Sequence, residues 1–280
     1  MIRKQSPAKV NLHLQVLKKR NDGYHDINTL MQRISLYDDM IFLPHKNGIV
    51  ISCPDSNLPE NEDNIVYRAA HTILAEASCQ RGVHITIKKQ IPIAAGLGGG
   101  SSNAATTLTT LNEMMKLSFT TDDLMKMGAT LGADVPFFVL GKTSWASGIG
   151  DHLEPVGNIP TLWFVLINPH FSVSTKMVYE NLNLRLTKES LEYKDFVLYK
   201  VTDVVKALYN DLEEVTLRLH PELQLLKDLL LKEGAHGALM SGSGPTVFGI
   251  FTEEKMASKA AEVLVKLGAG AWSVFKANSI

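Results

Sequence analysis

The chain has 280 residues, 45% hydrophobic and 20% charged, which describes a globular protein long enough for one large domain or two moderate ones. A formal net charge of −1 excludes the bulk electrostatic footprint of a nucleic-acid or anionic-membrane binder, so any phosphate recognition must be local. No apolar run approaches the roughly 20 residues of a membrane helix, and the opening Met1-Ile-Arg-Lys-Gln-Ser-Pro7 lacks the apolar stretch of a signal peptide.

In chain order, Ala8, Val10, Leu12, Leu14 and Val16 alternate with Lys9, Asn11, His13 and Gln15, predicting a half-buried strand with an exposed polar face. Asn21-Asp22-Gly23 turns the chain, and strand-like runs follow near 29–34, 39–43 and 49–53. Cys53 and Cys79 have neither metal-like nor redox-like spacing; they suit a reducing cytoplasm and buried structural roles. Asp63 or Asn64 caps a helix carrying Ile65, Ala69, Ile73 and Ala77. A strand over 83–89 leads to a glycine-rich loop and a helix to about Met115. Thr121-Asp122-Asp123 opens a further helix that Gly132 ends.

Gly148, Gly150, Pro155, Gly157 and Pro160 mark the best candidate domain boundary. Beyond it the pattern reads as a strand (162–167), helices near 175–183, 202–209 and 222–233, strands at 236–240 and 246–251, a helix near 253–267 and a strand near 272–276. That mixture is α+β.

The richest stretch is Pro92-Ile93-Ala94-Ala95-Gly96-Leu97-Gly98-Gly99-Gly100-Ser101-Ser102, followed by Asn103-Ala104-Ala105. Four glycines among five residues strip the backbone of side chains, so N–H groups can close around an anion. Ala104, Leu108, Leu111 and Met115 then repeat at helical spacing. Ser101 or Ser102 is placed to cap that helix, whose first turn favours phosphate. Strand, glycine loop and helix start together predict a nucleotide phosphate cradle. The loop is not a Walker loop, since Pro136 stands where Gly141-Lys142-Thr143 would need its leading glycine. Nor is it a dinucleotide fingerprint, which fails at Ser101 from Gly96 and at Asn103 from Gly98.

Four other polar features suit chemistry: Lys9 with Asn11, Gly23-Tyr24-His25, Gly132-Ala-Asp134-Val-Pro136, and Ser241-Gly242-Ser243-Gly244. Each also has a plainer reading, as a solvated strand lysine, a surface histidine, a turn or cap aspartate and a hairpin turn. A phosphate cradle favours the chemical readings, because phosphoryl transfer needs an orienting carboxylate or base and a cation near the moving group.

Lys9-Val-Asn11, Pro92 to Ala105 and Met240-Ser-Gly-Ser-Gly-Pro-Thr246 resemble the three motifs of the GHMP kinases, the family of galactokinase, homoserine kinase, mevalonate kinase and phosphomevalonate kinase. Ala8 to Leu12, Arg20-Asn-Asp22-Gly23-Tyr24-His25, the extended Gly96 to Ser102 run and Gly132 to Phe137 are similar to the branch whose substrate carries cytidine diphosphate. The match runs along essentially the whole chain, in order. It implies a two-domain α+β fold: an N-terminal α/β domain over 1–155, like domain 2 of ribosomal protein S5, and a C-terminal ferredoxin-like domain over 156–280, with the active site in the cleft between.

The resemblance implies that ATP, with Mg²⁺, phosphorylates the 2-hydroxyl of 4-diphosphocytidyl-2-C-methyl-D-erythritol, a step of the non-mevalonate route to isoprenoid precursors. Residues 92–102 would hold the ATP phosphates and Asn64 would lie near the ATP base. Lys9 and Asp134 match the family's catalytic pair. Asn11, Tyr24, His25 and Tyr179 would bind the substrate, Tyr179 standing where family members often carry a stacking Phe. Two rival expectations are another GHMP small-molecule kinase, which Gly-Tyr-His disfavours, and a silent ATP-binding sensor, which would be expected to lack Lys9 or Asp134. No nucleic-acid or membrane partner is implied. The residues leave the oligomeric state and the Mg²⁺ ligands open, Ser102 being one candidate hydroxyl.

Overall fold

The computed structural model describes residues 1–157, 159–183 and 198–280. Its order is β1 (Ile2–Lys19), β2 (His25–His45), β3 (Ile49–Ser52), α1 (Ile65–Glu76), β4 (Gly82–Lys88), α2 (Gly99–Met115), α3 (Thr121–Leu131), α4 (Val135–Leu140), β5 (Ser144–Ser147), β6 (His152–Pro155), β7 (Trp163–Asn168), α5 (Thr175–Glu180), α6 (Val201–Ala207), β8 (Tyr209–Asn210), α7 (Asp211–Leu219), α8 (Glu222–Lys232), β9 (Gly237–Met240), β10 (Val247–Phe251), α9 (Glu254–Gly268) and β11 (Ser273–Asn278). The chain divides into two compact units. One comprises Met1–Ala8, Tyr37–Pro92 and Gly98–Lys142; the other comprises Lys9–Leu36, Ile93–Leu97 and Thr143–Ile280.

In the first unit β4 lies between β2, antiparallel through Asp39↔Lys88 to His45↔Gly82, and β3, parallel through Ile49↔Val83 to Ser52↔Thr86. Met40, Phe42, Val83, Ile85 and Ile87 on these strands are buried, as are Ala104, Leu108, Leu111 and Met115 on α2. The helical spacing of the latter four thus marks the core face. Asn64 is the cap of α1, its side chain accepting from the Val66 N–H at 2.9 Å. A Thr120/Asp123 capping box starts α3. Gly128 on α3 is obligatory for packing: an added Cβ would stand 2.8 Å from Val135 Cγ1, so only glycine lets α4 lie this close.

In the second unit β11-β7-β10-β9 form an antiparallel sheet. Numbered within the sheet by chain order, this is 4-1-3-2, the ferredoxin-like arrangement expected. Val165, Ile167, Val247 and Phe251 of this sheet join Leu212, Leu223, Leu226, Leu230, Ala260 and Leu264 of the helices in one core. β8 runs parallel to β1 through His13↔Tyr209, and the β5–β6 hairpin joins β2 through Leu30↔Trp145.

Several sequence expectations change. The runs near 29–34 and 39–43 belong to one continuous strand, β2, paired with β5 near its start and with β4 near its end. Residues 148–151 form the turn of the β5–β6 hairpin. Helix α7 was not anticipated, although Asn210 followed by Asp211, Glu213 and Glu214 is an N-terminal signal: Asn210 caps it through the Leu212 N–H at 3.0 Å. Cys53 is buried, and burial pushes its thiol pKa up, whereas Cys79 is only partly buried. No helix among the described residues is long and apolar enough to cross a membrane.

Candidate active site

The glycine segment gains its shape from three left-handed residues at alternate positions, Ala94 (φ 52°), Gly96 (φ 77°) and Gly98 (φ 68°). Alternation of this kind turns successive N–H groups to a common side, the geometry of an anion-binding nest. Neither Ser101 nor Ser102 caps α2. The cap is Gly98, whose left-handed backbone turns the chain into the helix at Gly99, with no side-chain cap bond. The first helical bond runs from the Ser102 N–H to the Gly98 carbonyl at 2.9 Å. By helix geometry the N–H groups of Gly98, Gly99, Gly100 and Ser101 therefore have no acceptor within α2, and the helix dipole adds positive potential there. That is a site for phosphate oxygens.

The two serines differ. Ser102 is fully buried and its hydroxyl accepts from Ser6 at 2.8 Å. Ser101 is half-buried, its Oγ 3.7 Å from where a Cβ on Gly132 would stand. Ile65 touches the same place from α1, at 3.9 Å. The first unit thus gathers the start of α2, the start of α1 and the Gly132–Asp134 connection around one spot. Asp134 occupies the cap position of α4 with an α-helical backbone, yet its carboxylate makes no cap bond to that helix. Asn64 is held by several bonds. Besides capping α1, its Nδ2 donates to the Pro59 carbonyl at 2.7 Å and toward Cys53 Sγ at 3.8 Å.

One carboxylate absent from the sequence reading stands out here. Asp38 has no solvent exposure. Its Oδ1 accepts from the backbone N–H groups of Gln90 (2.8 Å) and Ile91 (2.9 Å); its Oδ2 accepts from Asn103 Nδ2 (3.0 Å) and pairs with the Lys89 ammonium. The available signal was an aspartate pair between Leu36 and Met40 in a strand-like run, which does not tell a buried carboxylate from a solvated one.

In the second unit Lys9 and Asn11 are buried, at 5% and 3% exposure, not solvated as expected. The strand's polar face is covered: Lys9 Nζ donates to Asn11 Oδ1 at 2.6 Å, Asn11 Nδ2 to Thr29 Oγ1 at 2.8 Å, and Thr29 Oγ1 to the His13 carbonyl at 2.6 Å. A buried ammonium is tolerable only with such partners. The Lys9 N–H donates to the Leu97 carbonyl at 3.0 Å, tying β1 to the glycine segment. His13 continues the buried stripe between Trp145 and Tyr209, with ring centroids 5.4 Å from each. Burial lowers its pKa, against smaller raising effects of the Ala207 carbonyl and Asp211.

The Ser241–Gly244 loop supports this strand. Ser241 Oγ donates to the Gly96 carbonyl at 2.8 Å and accepts from the Asn11 N–H at 3.4 Å. The backbones are so close that a Cβ on Gly96 would fall 2.0 Å from the Ser241 carbonyl oxygen. Elsewhere in this unit the His25 and Tyr179 rings pack against each other, centroids 4.9 Å apart and planes tilted by 32°. Tyr24 beside them is 59% exposed. Burial, then the nearby Lys19 charge, lowers the His25 pKa and favours a neutral imidazole.

Residues 64–142 match the GHMP kinases N terminal domain and residues 201–270 match the GHMP kinases C terminal domain. A 4-diphosphocytidyl-2-C-methyl-D-erythritol kinase of Syntrophus aciditrophicus is 58% identical over 280 residues, all of both chains. One of Geobacter metallireducens is 48% identical, covering 92% of each chain. A crystal structure of 4-(cytidine 5'-diphospho)-2C-methyl-D-erythritol kinase superposes with a TM-score of 0.85 at 34% identity, covering 99% of each chain. The mevalonate kinase of Methanococcus jannaschii shares the fold at a TM-score of 0.73 and 14% identity. On these matches and this architecture, the chain belongs to the GHMP kinase family.

Proposed function

We infer that this chain transfers the γ-phosphate of ATP to the 2-hydroxyl of 4-diphosphocytidyl-2-C-methyl-D-erythritol. The observation that carries the substrate is full-length identity of 58% to a kinase named for it. The His25–Tyr179 ring pair supports the same reading, because a planar base gains affinity by stacking on aromatic side chains. Tyr24 and Asn11 complete the substrate-binding set. The other GHMP kinases matched in structure, for homoserine and mevalonate, lie at 20% identity or below and support the fold alone.

In this reading the N–H groups of residues 92–102 hold the ATP phosphates, and Asn64 borders the base. Asp134 orients the substrate hydroxyl and accepts its proton as the new P–O bond forms; the bond from the γ-phosphorus to the bridging oxygen breaks and ADP leaves. Lys9 stabilises negative charge on the moving phosphoryl. Phosphoryl transfer needs little more than in-line positioning and charge stabilisation. Mg²⁺ bound with the nucleotide would neutralise phosphate charge. Mg²⁺ usually keeps several waters and takes few protein ligands. The half-buried Ser101 hydroxyl suits it better than Ser102, which is buried against Ser6. A reducing cytoplasm suits the free cysteines.

Two experiments test this. ADP release is measured with the cytidine substrate, mevalonate and homoserine, and CDP is added as a competitor. The cytidine substrate should be turned over selectively and CDP should inhibit competitively. Because base stacking on one ring contributes about 1–3 kcal/mol, Tyr179→Ala should raise the substrate KM roughly tenfold or more and leave the ATP KM unchanged. Equal turnover of the nucleotide-free alcohols, without CDP inhibition, would remove the substrate. Separately, Asp134→Asn should lower kcat by roughly 10²–10⁴ with little change in ATP affinity. Near-wild-type turnover would take Asp134 out of the chemistry.

A further inference from the structure

We propose that Asp38 is a positioning residue for phosphate transfer, one that fixes the path of the glycine segment before ATP arrives. The proposal rests on the reading of residues 92–102 as the ATP cradle. Asp38 lies on β2, far in sequence from that segment, yet its carboxylate holds both of the segment's flanks. Oδ1 takes the N–H groups of Gln90 and Ile91, immediately before Pro92, and Oδ2 takes the amide of Asn103, immediately after Ser102. The same Oδ2 pairs with Lys89. All four donors converge on a group with no solvent exposure.

The arrangement has an electrostatic reason. The Lys89 ammonium sits against the first residue of α2, 3.2 Å from where a Cβ on Gly99 would stand. A bare cation there would oppose the positive end of the helix dipole, and a buried unpaired charge is strongly unfavourable. The Asp38 carboxylate neutralises it and packs strand β4 onto the helix start. Ile91 Cγ2 fills the remaining space, 3.0 Å from the same Cβ position. With its two flanks held by one rigid group, the segment between has little freedom left to lose when phosphate binds. Without that restraint, the flanks would have to be ordered on binding, although Leu97 and Gly96 stay tied to Lys9 and Ser241.

The test is a KM against kcat split. Asp38→Asn keeps the size of the side chain and its Oδ1 acceptor, but offers donor hydrogens to two groups that are themselves donors, Lys89 and Asn103. We expect the ATP KM to rise about tenfold or more, with the ATP dissociation constant from calorimetry rising in step and the cytidine-substrate KM within twofold. The swap Asp38→Asn with Asn103→Asp gives every donor an acceptor again and restores a carboxylate for Lys89. It should return the ATP KM to within about threefold of wild type. A merely structural role would lower the amount of folded enzyme, reducing Vmax and leaving both KM values alone. An unchanged ATP KM in folded Asp38→Asn, or an equal rise in both KM values, overturns the proposal. Should that variant not fold, Asn103→Ala removes one donor and leaves the ion pair intact; it should raise the ATP KM about threefold, and no rise overturns the proposal equally. Gly98→Val separates the two readings. If it too leaves ATP affinity intact, the cradle is wrong; if it weakens ATP binding while the Asp38 variants do not, only the role of Asp38 fails.

Discussion

The two glycine-rich loops, 92–102 and 241–245, have similar composition and opposite uses of their polar groups. The first ends in a helix start whose leading N–H groups have no helical acceptor, and no side chain caps them. In the second, the hydroxyls are engaged in structure: Ser241 donates to the Gly96 carbonyl, and Ser243 shares a hydrogen bond with Thr175 at 2.7 Å. Its glycines serve close packing, since a Cβ on Gly244 would stand 2.5 Å from Met240 Sδ. Asn210 Nδ2 donates to the carbonyls of Met240 and Gly242, each at 2.8 Å, so the entry of this loop is anchored. A glycine-rich sequence thus reveals where the backbone is bare, but not whether its donors face a ligand or the protein.

The contrast can be broken most severely at Gly96, where the loops meet. Gly96→Ala puts a Cβ 2.0 Å from the Ser241 carbonyl oxygen on a left-handed backbone, so both loops must move. We expect destabilisation of about 3 kcal/mol or more, read as a Tm lower by roughly 6 °C or more, with ATP turnover largely lost. A variant with wild-type Tm would show that the loops do not press together here. Gly98→Val sharpens the contrast, since it strains the cap of α2 and crowds the N–H groups of the first loop alone. Its ATP KM should rise by an order of magnitude or more while the protein stays folded. Ser241→Ala probes the second loop with the smallest effect. It removes two hydrogen bonds, to the Gly96 carbonyl and from the Asn11 N–H, together worth about 1–2 kcal/mol, lowering Tm by roughly 2–6 °C, and the ATP KM should change less than threefold. A larger effect on ATP than that of Gly98→Val would reverse the roles of the two loops.

Much of this site was legible from residues. The helical spacing of Ala104, Leu108, Leu111 and Met115 identified the buried face of α2, and of the two candidate caps of α1, Asp63 and Asn64, the structure selects Asn64. The Ser241–Pro245 turn between two strands was also readable, because glycine and proline act locally through their own torsions. The start of α2 was misplaced by three or four residues: serine capping is a tendency, and a left-handed Gly98 needs no side-chain cap. The role of Asp38 was invisible, because its four donors come from segments far along the chain.

What the sequence by itself determined was periodicity, bare backbone and the inventory of reactive groups: Lys9, Asp134, the glycine segment and the motifs that mark the family. Those features depend on torsions and spacing within a few residues, which the chain carries wherever it lies. Tertiary structure alone decided which polar groups are buried and what they meet. The alternation along β1 gave two faces but could not say that Lys9, Asn11 and His13 would be covered, because the cover comes from Thr29, Trp145, Tyr209 and Ser241. Likewise, His25 and Tyr179 are two separate aromatic side chains in the sequence, and become a packed pair only because the fold sets their rings 4.9 Å apart. Hydrogen bonds and ring contacts are made through space, so their partners are fixed by the fold's topology and not by local spacing.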